Sequence, residues 1–398
     1  MSIEAPVRLS ESDIVPVARE LIPELKSRAI QCEEDRKVPQ ENIRRLHETG
    51  LLGVFRAKKW GGQELSMRAH VDAVATIAEG CPATAWVLGV YHAHDYIIGH
   101  MSEQVQREIY DSDHIQAVAA VIGPRGKAVK QADGSYRLSG FWPFASGNAA
   151  SRWLLLGGEV LDAEGNVLDA GDFAVPIEDV ERLDDWHVAG LQGTGSNSVR
   201  CQDVWVPAHR FVSLPALLEN QTPAFVRADT PSVHRCQAGP ALGMFIATSA
   251  LGAAKAALDE FLRVVPGKQV MYTSHISHEW TALQIAVGEA ASKIHAANLI
   301  FYKCADDVDE WARRGEKMPM DIRGRIRMDI TMVPRLCRDA VEKLYTIGGA
   351  AGLSLKSPIQ RNARNLQATN MHGFLLYDAG AEIYGRVLLG VDPGTGIL

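Results

Sequence analysis

The side chains with the widest chemical reach in this 398-residue chain are its histidines. Three groupings matter: His92 and His94 on either side of Ala93, His275-x-x-His278-Glu279, and His372 in Met371-His372-Gly373. Imidazole exchanges a proton near neutral pH and ligates metals, so each grouping invites acid-base or metal chemistry. A three-residue step places His275 and His278 on one helix face, but no third ligand accompanies them, and the segment reads as a polar helix start in a mobile connection, with no metal expected. His92 and His94 are two apart, so on a helix they point in different directions and at most one faces a given cleft. Gly193-Thr194-Gly195-Ser196-Asn197-Ser198 has the composition of a phosphate cradle without the spacing of a P-loop or a dinucleotide fingerprint. A plain β-turn is an equally good reading of that string.

The six cysteines (Cys32, Cys81, Cys201, Cys236, Cys304, Cys337) include no C-x-x-C pair and read as buried free thiols in a reducing compartment. With 41 basic against 48 acidic residues the chain carries a formal charge of −7 and offers no field for a nucleic-acid backbone. Met1-Ser2-Ile3-Glu4-Ala5-Pro6 lacks the basic and apolar regions of a leader. No stretch reads as the ~20 apolar residues of a membrane span. A cytoplasmic protein with no membrane partner is expected.

Positioning such groups requires a scaffold, and 46% hydrophobic with 22% charged residues is an ordinary globular composition. Over residues 1–114 apolar positions recur at helical spacing, with Val71, Val74, Ile77 and Ala78 on one face and breaks at Gly50 and Gly61-Gly62. Residues 115–214 change to short aromatic and β-branched runs punctuated by Asp133-Gly134 and Glu164-Gly165-Asn166, the pattern of an antiparallel β domain. Residues 215–398 return to long helical segments, at Leu242 to Val265, Glu279 to Asp307, and Ile322 to Ile347 before Gly348-Gly349. Helices, then a sheet, then a long-helix bundle make an α+β fold.

Four strings in a fixed order resemble the acyl-CoA dehydrogenase superfamily and, within it, the flavin-dependent monooxygenase branch of the 4-hydroxyphenylacetate and secosteroid phenol hydroxylases. They are Gly53-Val54-Phe55 through Trp60-Gly61-Gly62, Ser139 through Gly147, Gly190 through Ser196, and Gly348-Gly349 through Pro358-Ile359-Gln360-Arg361. The resemblance spans nearly the whole chain and implies the acyl-CoA dehydrogenase fold. It also implies that Ser146 hydrogen-bonds the flavin near N5, where a serine merely capping a strand-to-loop turn is the alternative. Gly147, Gly195 and Ser196 then line the flavin site, the glycines permitting close backbone approach. Trp86 and Phe144 wall the pocket, although aromatic residues are more often plain core.

The dehydrogenases carry a glutamate where this chain has Met371-His372-Gly373, so the base for a thioester α-proton is missing. The hydroxylase branch has a histidine at the position of His372, which implies a base or an orienting donor for a phenolic ring. The resemblance brings His92 or His94 toward the same pocket, with Tyr91 where the branch often has histidine. Leu376 replaces an aspartate of the secosteroid enzymes, so the substrate is held differently here.

The resemblance therefore implies the oxygenase component of a two-component monooxygenase that uses reduced flavin, FMNH2 or FADH2, and O2 through a C4a-hydroperoxide to hydroxylate a phenolic or indolic compound. A separate NAD(P)H-dependent flavin reductase is the expected partner, since the chain lacks a nicotinamide fingerprint, and the fold implies a homotetramer. The competing enzyme reading is an acyl-CoA dehydrogenase-type flavoenzyme with a relocated base at Asp378 or Glu382.

Overall fold

The computed structural model describes residues 6–111, 114–227 and 230–398, so the leader reading at Met1–Ala5 lies outside the described residues. Five helices come first: α1 (Glu11–Glu34), α2 (Gln40–Glu48), α3 (Met67–Ala78), α4 (Pro82–Gly99) and α5 (Glu103–Tyr110). Seven strands follow: β1 (Val118–Lys130), β2 (Tyr136–Trp142), β3 (Trp153–Leu161), β4 (Val167–Pro176), β5 (Glu181–Arg182), β6 (Val199–Val206) and β7 (Phe211–Ser213). The remainder is helical: α6 (Leu214–Leu218), α7 (Pro223–Val226), α8 (Ala238–Ala247), α9 (Ser249–Val264), α10 (Thr281–Arg314), α11 (Met320–Ile347), α12 (Pro358–Asn370) and α13 (Tyr377–Leu388). The α+β layout is the one expected.

The strands form one sheet in the order β5-β6-β2-β1-β3-β4-β7. Asp133-Gly134 turns β1 into β2, and Glu164-Gly165-Asn166 turns β3 into β4, both antiparallel pairs. The sheet is nevertheless mixed, which corrects the antiparallel expectation, because β3 pairs parallel to β1 from Val118↔Trp153 to Val129↔Leu161. After the first hairpin, residues 143–152 return the chain to the other side of β1, so β3 must run in the direction of β1. That returning loop carries Ser146 and Gly147.

The helical core is continuous from α1 to α12, while the sheet has its own smaller core around Trp142, Leu154, Leu156 and Phe173. Every residue of α4 from Pro82 to Ile98 is buried, so this helix is the axis on which the N-terminal helices, the sheet and α8 meet. The expected helix from Leu242 to Val265 is two helices meeting at Thr248, whose hydroxyl donates to the Met244 carbonyl at 2.7 Å. The run Ala238–Val264 is long and apolar enough for a membrane span by length and composition, which the sequence reading missed because glycine, serine and threonine punctuate it. It packs against α3, α4, α11 and α12, with 72% of its most apolar window buried. The helix read as Glu279 to Asp307 begins at Thr281 and continues to Arg314, where Gly315 at φ 67° ends it.

Ser277–Glu279 is a short 3-10 turn rather than the start of that helix. There the His275 ring stacks on Trp280, and His278 Nδ1 accepts from the Gly267 amide at 3.1 Å.

Candidate active site

Three segments distant in sequence converge on Trp86 of α4. Its indole Nε1 donates to Ser146 Oγ at 3.2 Å, and its ring lies 5.7 Å from that of His372, tilted by 59°. Trp86 is 5% exposed, so the indole is a fixed wall. The structure thus gathers Trp86, Ser146, Ser196 and His372.

Ser146 starts a hydroxyl chain. Its Oγ lies 2.7 Å from Ser196 Oγ, which lies 2.6 Å from Thr194 Oγ1, and Thr194 donates to the Leu191 carbonyl at 2.8 Å. A carbonyl only accepts, so the order of protons follows: Ser146 donates to Ser196, and Ser196 to Thr194. Ser146 Oγ accepts the Trp86 N–H and keeps one lone pair for a further donor. That is the acceptor suited to an N–H at the edge of a reduced flavin ring, so the residues present fit such a group.

The two glycines expected to admit a flavin serve close approaches within the protein. Gly147 has φ 76°, and a Cβ there would come within 2.6 Å of the Tyr91 hydroxyl, which donates to the Gly147 carbonyl at 2.7 Å. A Cβ on Gly195, at φ 58°, would lie 3.1 Å from the Arg36 carbonyl. Both hold the hydroxyl-bearing loops against α4 and the turn after α1.

Phe144 adopts φ 67° and is 63% exposed, with its ring edge-on to Trp186 at 5.9 Å. It stands at a rim and makes no ring contact with Trp86. Trp142 belongs to the sheet core, its Nε1 donating to the Gly157 carbonyl at 2.7 Å.

The two histidines of α4 part company. His92 is fully buried; its Nε2 donates to the Leu51 carbonyl at 2.8 Å, and its Nδ1 meets His70 Nδ1 at 2.9 Å. Both nitrogens are engaged in the interior, so the structure does not bring His92 to the Trp86 cluster. His94 lies on the Trp86, Val90, His94 stripe of helical spacing. Its Nδ1 donates to the Val118 carbonyl at 2.5 Å, leaving Nε2 as an acceptor. Burial pushes His94 down to about 4, so the ring is neutral.

His372 caps the turn Gly373–Leu375: the Phe374 amide donates to its Nδ1 at 3.2 Å. His372 is exposed at the surface, yet the protein atoms packed around its ring push it down to about 4, with the positive charge of Arg327 adding to the effect. A neutral imidazole with Nδ1 accepting carries its proton on Nε2, so the free nitrogen is a donor.

Three supporting residues lay beyond the sequence reading. Thr194 orients the hydroxyl chain. Arg327 of α11 is 6% exposed, lies 4.2 Å over the Phe374 ring and has a buried Nε with no partner. Asn365 of α12 accepts the Leu191 amide at 2.8 Å, tying the helix that leads to His372 to the loop that carries Ser196. Only Thr194 had a sequence signal, as a hydroxyl inside the Gly190 to Ser196 string. Asp378 and Glu382 are exposed on α13, and Glu382 pairs with Arg386 at 3.3 Å.

Residues 13–112 match the family described as acyl-CoA dehydrogenase, N-terminal domain, and residues 244–376 the acyl-CoA dehydrogenase, C-terminal domain. The chain is 30% identical, over 88% of its length and 92% of the relative's, to a flavin-dependent monooxygenase, oxygenase subunit HsaA, of Rhodococcus jostii (strain RHA1). The crystal structure of the HsaA monooxygenase from M. tuberculosis superposes with a TM-score of 0.91 at 26% identity, covering 98% of this chain and 100% of that one. XiaF from Streptomyces sp., in complex with FADH2 and glycerol, superposes with a TM-score of 0.91 at 25% identity and 97% coverage of each chain. By its fold and by these similarities the chain belongs to the flavin-dependent monooxygenases built on the acyl-CoA dehydrogenase fold, as an oxygenase component.

Proposed function

We propose that this oxygenase hydroxylates an electron-rich aromatic ring, phenolic or indolic, with reduced flavin delivered by a separate NAD(P)H-dependent reductase. The observation that carries the reading is the convergence of an acceptor hydroxyl, Ser146, and a donor imidazole, His372, on the two sides of Trp86. When bound, reduced flavin supplies the electrons that activate O2 and passes one oxygen atom to the ring.

The chain's own groups manage protons around that transfer. With reduced flavin bound, Ser146 Oγ would accept from its N5–H and hold that proton in place, backed by the Ser196 and Thr194 hydroxyls. His372 Nε2–H donates to oxygen, and Trp86 keeps water out of the space between them. His94 Nε2 accepts from the substrate's O–H or N–H. Full proton transfer from a phenol of pKa ~10 to an imidazole near 4 costs about 8 kcal/mol, so His94 orients and polarises rather than deprotonates. The same reasoning makes His372 an orienting donor rather than a base. A relocated dehydrogenase base gains no support, because Asp378 and Glu382 lie on the exposed face of α13.

The test is reconstitution. NADH and O2 with the isolated chain are expected to give no product, and addition of a generic flavin reductase with FMN or FAD is expected to give a product heavier by one oxygen from a panel of phenols and indoles. Turnover with NADH alone would contradict the two-component reading. Reduction of bound flavin by an acyl-CoA would restore the dehydrogenase alternative.

A further inference from the structure

Cys32, near the end of α1, and Cys81, immediately before α4, are apart in sequence, yet folding brings them side by side. With Glu33, Gly193 and Arg361 they line a cavity of about 10 Å³, the space of one water-sized molecule. Arg361 is 8% exposed, and its Nη1 has no hydrogen-bond partner. A buried guanidinium in that condition calls for an anion.

Cys81 can supply it. The Cys32 hydrogen bond pushes the Cys81 thiol down, and the hydroxyl and backbone N–H of Thr84 and the charge of Arg361 act in the same direction. Cys32 is pushed up, chiefly by its interaction with Cys81 and then by burial, while its S–H points to the Gly193 carbonyl. The contrast is with Cys337 and Cys201, which burial raises to about 12 and about 11. Two neighbouring thiols of unequal acidity, lining a space that admits one small molecule beside an unpartnered guanidinium, have the arrangement of a reactive and a resolving cysteine.

The pair also touches the active site. Cys32 Sγ lies 3.6 Å from the Gly193 carbonyl, and a Cβ on Gly193 would come within 2.5 Å of that sulfur. Gly193 immediately precedes Thr194, the end of the hydroxyl chain that reaches Ser146 through Ser196.

We propose that Cys32 and Cys81 form a second redox site, a dithiol that reacts with hydrogen peroxide and closes to a disulfide against the loop carrying the Thr194–Ser196–Ser146 hydroxyls. The Cys81 sulfur attacks one peroxide oxygen and the O–O bond breaks. The departing hydroxide takes a proton and leaves as water, and Cys81 becomes a sulfenic acid. The Cys32 sulfur then displaces that hydroxyl as a second water while the S–S bond forms. Two thiols and one peroxide give one disulfide and two waters, with two electrons passing from sulfur to oxygen. The oxidant is the by-product of this enzyme class, released whenever reduced flavin and O2 react without oxygen transfer. Because an S–S bond is about 2.05 Å, closure draws Cys32 toward Cys81 and off the Gly193 carbonyl. The loop then loses a contact on which the Ser146 chain depends, and turnover slows under the condition that produces peroxide.

Peptide mapping of the full chain after stoichiometric hydrogen peroxide, with free thiols alkylated under denaturing conditions, tests the chemistry. A Cys32–Cys81 cross-linked peptide is expected ahead of oxidation at Cys201, Cys236, Cys304 or Cys337. The product-forming rate with supplied reduced flavin should drop severalfold and return after dithiothreitol. Cys32→Ser should trap Cys81 as a sulfenic acid that reacts with dimedone, and Cys32→Ala/Cys81→Ala, with circular dichroism confirming its fold, should form product at a rate indifferent to the same peroxide dose. Oxidation of other cysteines with no Cys32–Cys81 peptide would overturn the proposal. A cross-link that leaves the rate unchanged would overturn the connection to the flavin loop.

Discussion

Arg327 donates through Nη1 to the Phe374 carbonyl at 2.6 Å while its guanidinium covers the Phe374 ring at 4.2 Å, so α11 holds from beneath the turn that fixes His372. Its charge also disfavours protonation of His372, second to burial. Removing the charge in Arg327→Gln should therefore raise His372 from about 4 toward its ordinary value of 6.5. A protonated His372 can no longer accept from the Phe374 amide, so coupling of oxygen consumption to product should fail at higher pH than in the unaltered protein. Product and peroxide measured between about pH 3.5 and pH 8 give the two acid limbs. Arg327→Lys, which retains the charge, should keep the original limb, and coincident limbs for all three proteins would remove Arg327 from this role.

His372 has a stronger prediction attached. His372→Ala should slow product formation on the order of 10²-fold, with hydrogen peroxide released in place of product. Because the free nitrogen is the donor Nε2, His372→Gln, whose amide N–H₂ reaches about as far, should retain more coupling than His372→Asn. The reverse order would show that Nδ1 faces the reacting atoms.

The direction of the hydroxyl chain predicts unequal effects for its members. Ser146→Ala removes the acceptor aimed at the cleft and should weaken binding of reduced flavin in anaerobic titration by about tenfold, the scale of one hydrogen bond to a buried group. Ser196→Ala leaves the Ser146 oxygen in place and should cost less. Equal losses would mean that the chain acts only as packing.

Asp172 of β4 gives a test of stability against pH. It is 1% exposed, neither carboxyl oxygen has a partner, and burial pushes it up from 3.8 to about 7. The folded state thus prefers the protonated acid, so its favourable contribution is complete below the unfolded value and is lost as pH rises from about 4 through about 7. Asp172→Asn should leave stability little changed at low pH and raise it by roughly 2–4 kcal/mol at pH 8, on the scale set by ~1.4 kcal/mol per unit. Denaturant melts of both proteins at pH 5 and pH 8 decide it; a gap that does not widen with pH would show that the carboxyl finds a partner in solution.

A homotetramer remains our expectation for the assembly. Leu353 (68%), Leu355 (74%), Leu388 (65%) and Leu389 (80%) are exposed near the ends of α11 and α13, more apolar surface than a solitary chain gains from showing to water. Light scattering should return four times the chain mass of 43.4 kDa. A stable monomer would require another explanation for those leucines.

Much of the scaffold was legible in local patterns. Asp133-Gly134 and Glu164-Gly165-Asn166 place both hairpins, and the apolar period over Val71 to Ala78 describes α3. The ordered strings hold Ser146 and Ser196, the resemblance they carry implied Trp86 and His372, and the fold brings the four together. Such features are decided within a few residues, by turn chemistry and by helical or strand periodicity, and so they survive in the sequence alone. Whatever depends on which distant element lies alongside was not legible there. The parallel β1–β3 pairing follows from the route of residues 143–152, and the division between His92 and His94 follows from His70 and Leu51 standing on one side of α4 and Val118 on the other. The Cys32–Cys81 pairing and the Arg327 support beneath His372 join elements that are 49 and 45 residues apart in sequence. Local propensity has no term for such neighbours, because burial, desolvation and the last hydrogen-bond partner are settled only when the layers pack.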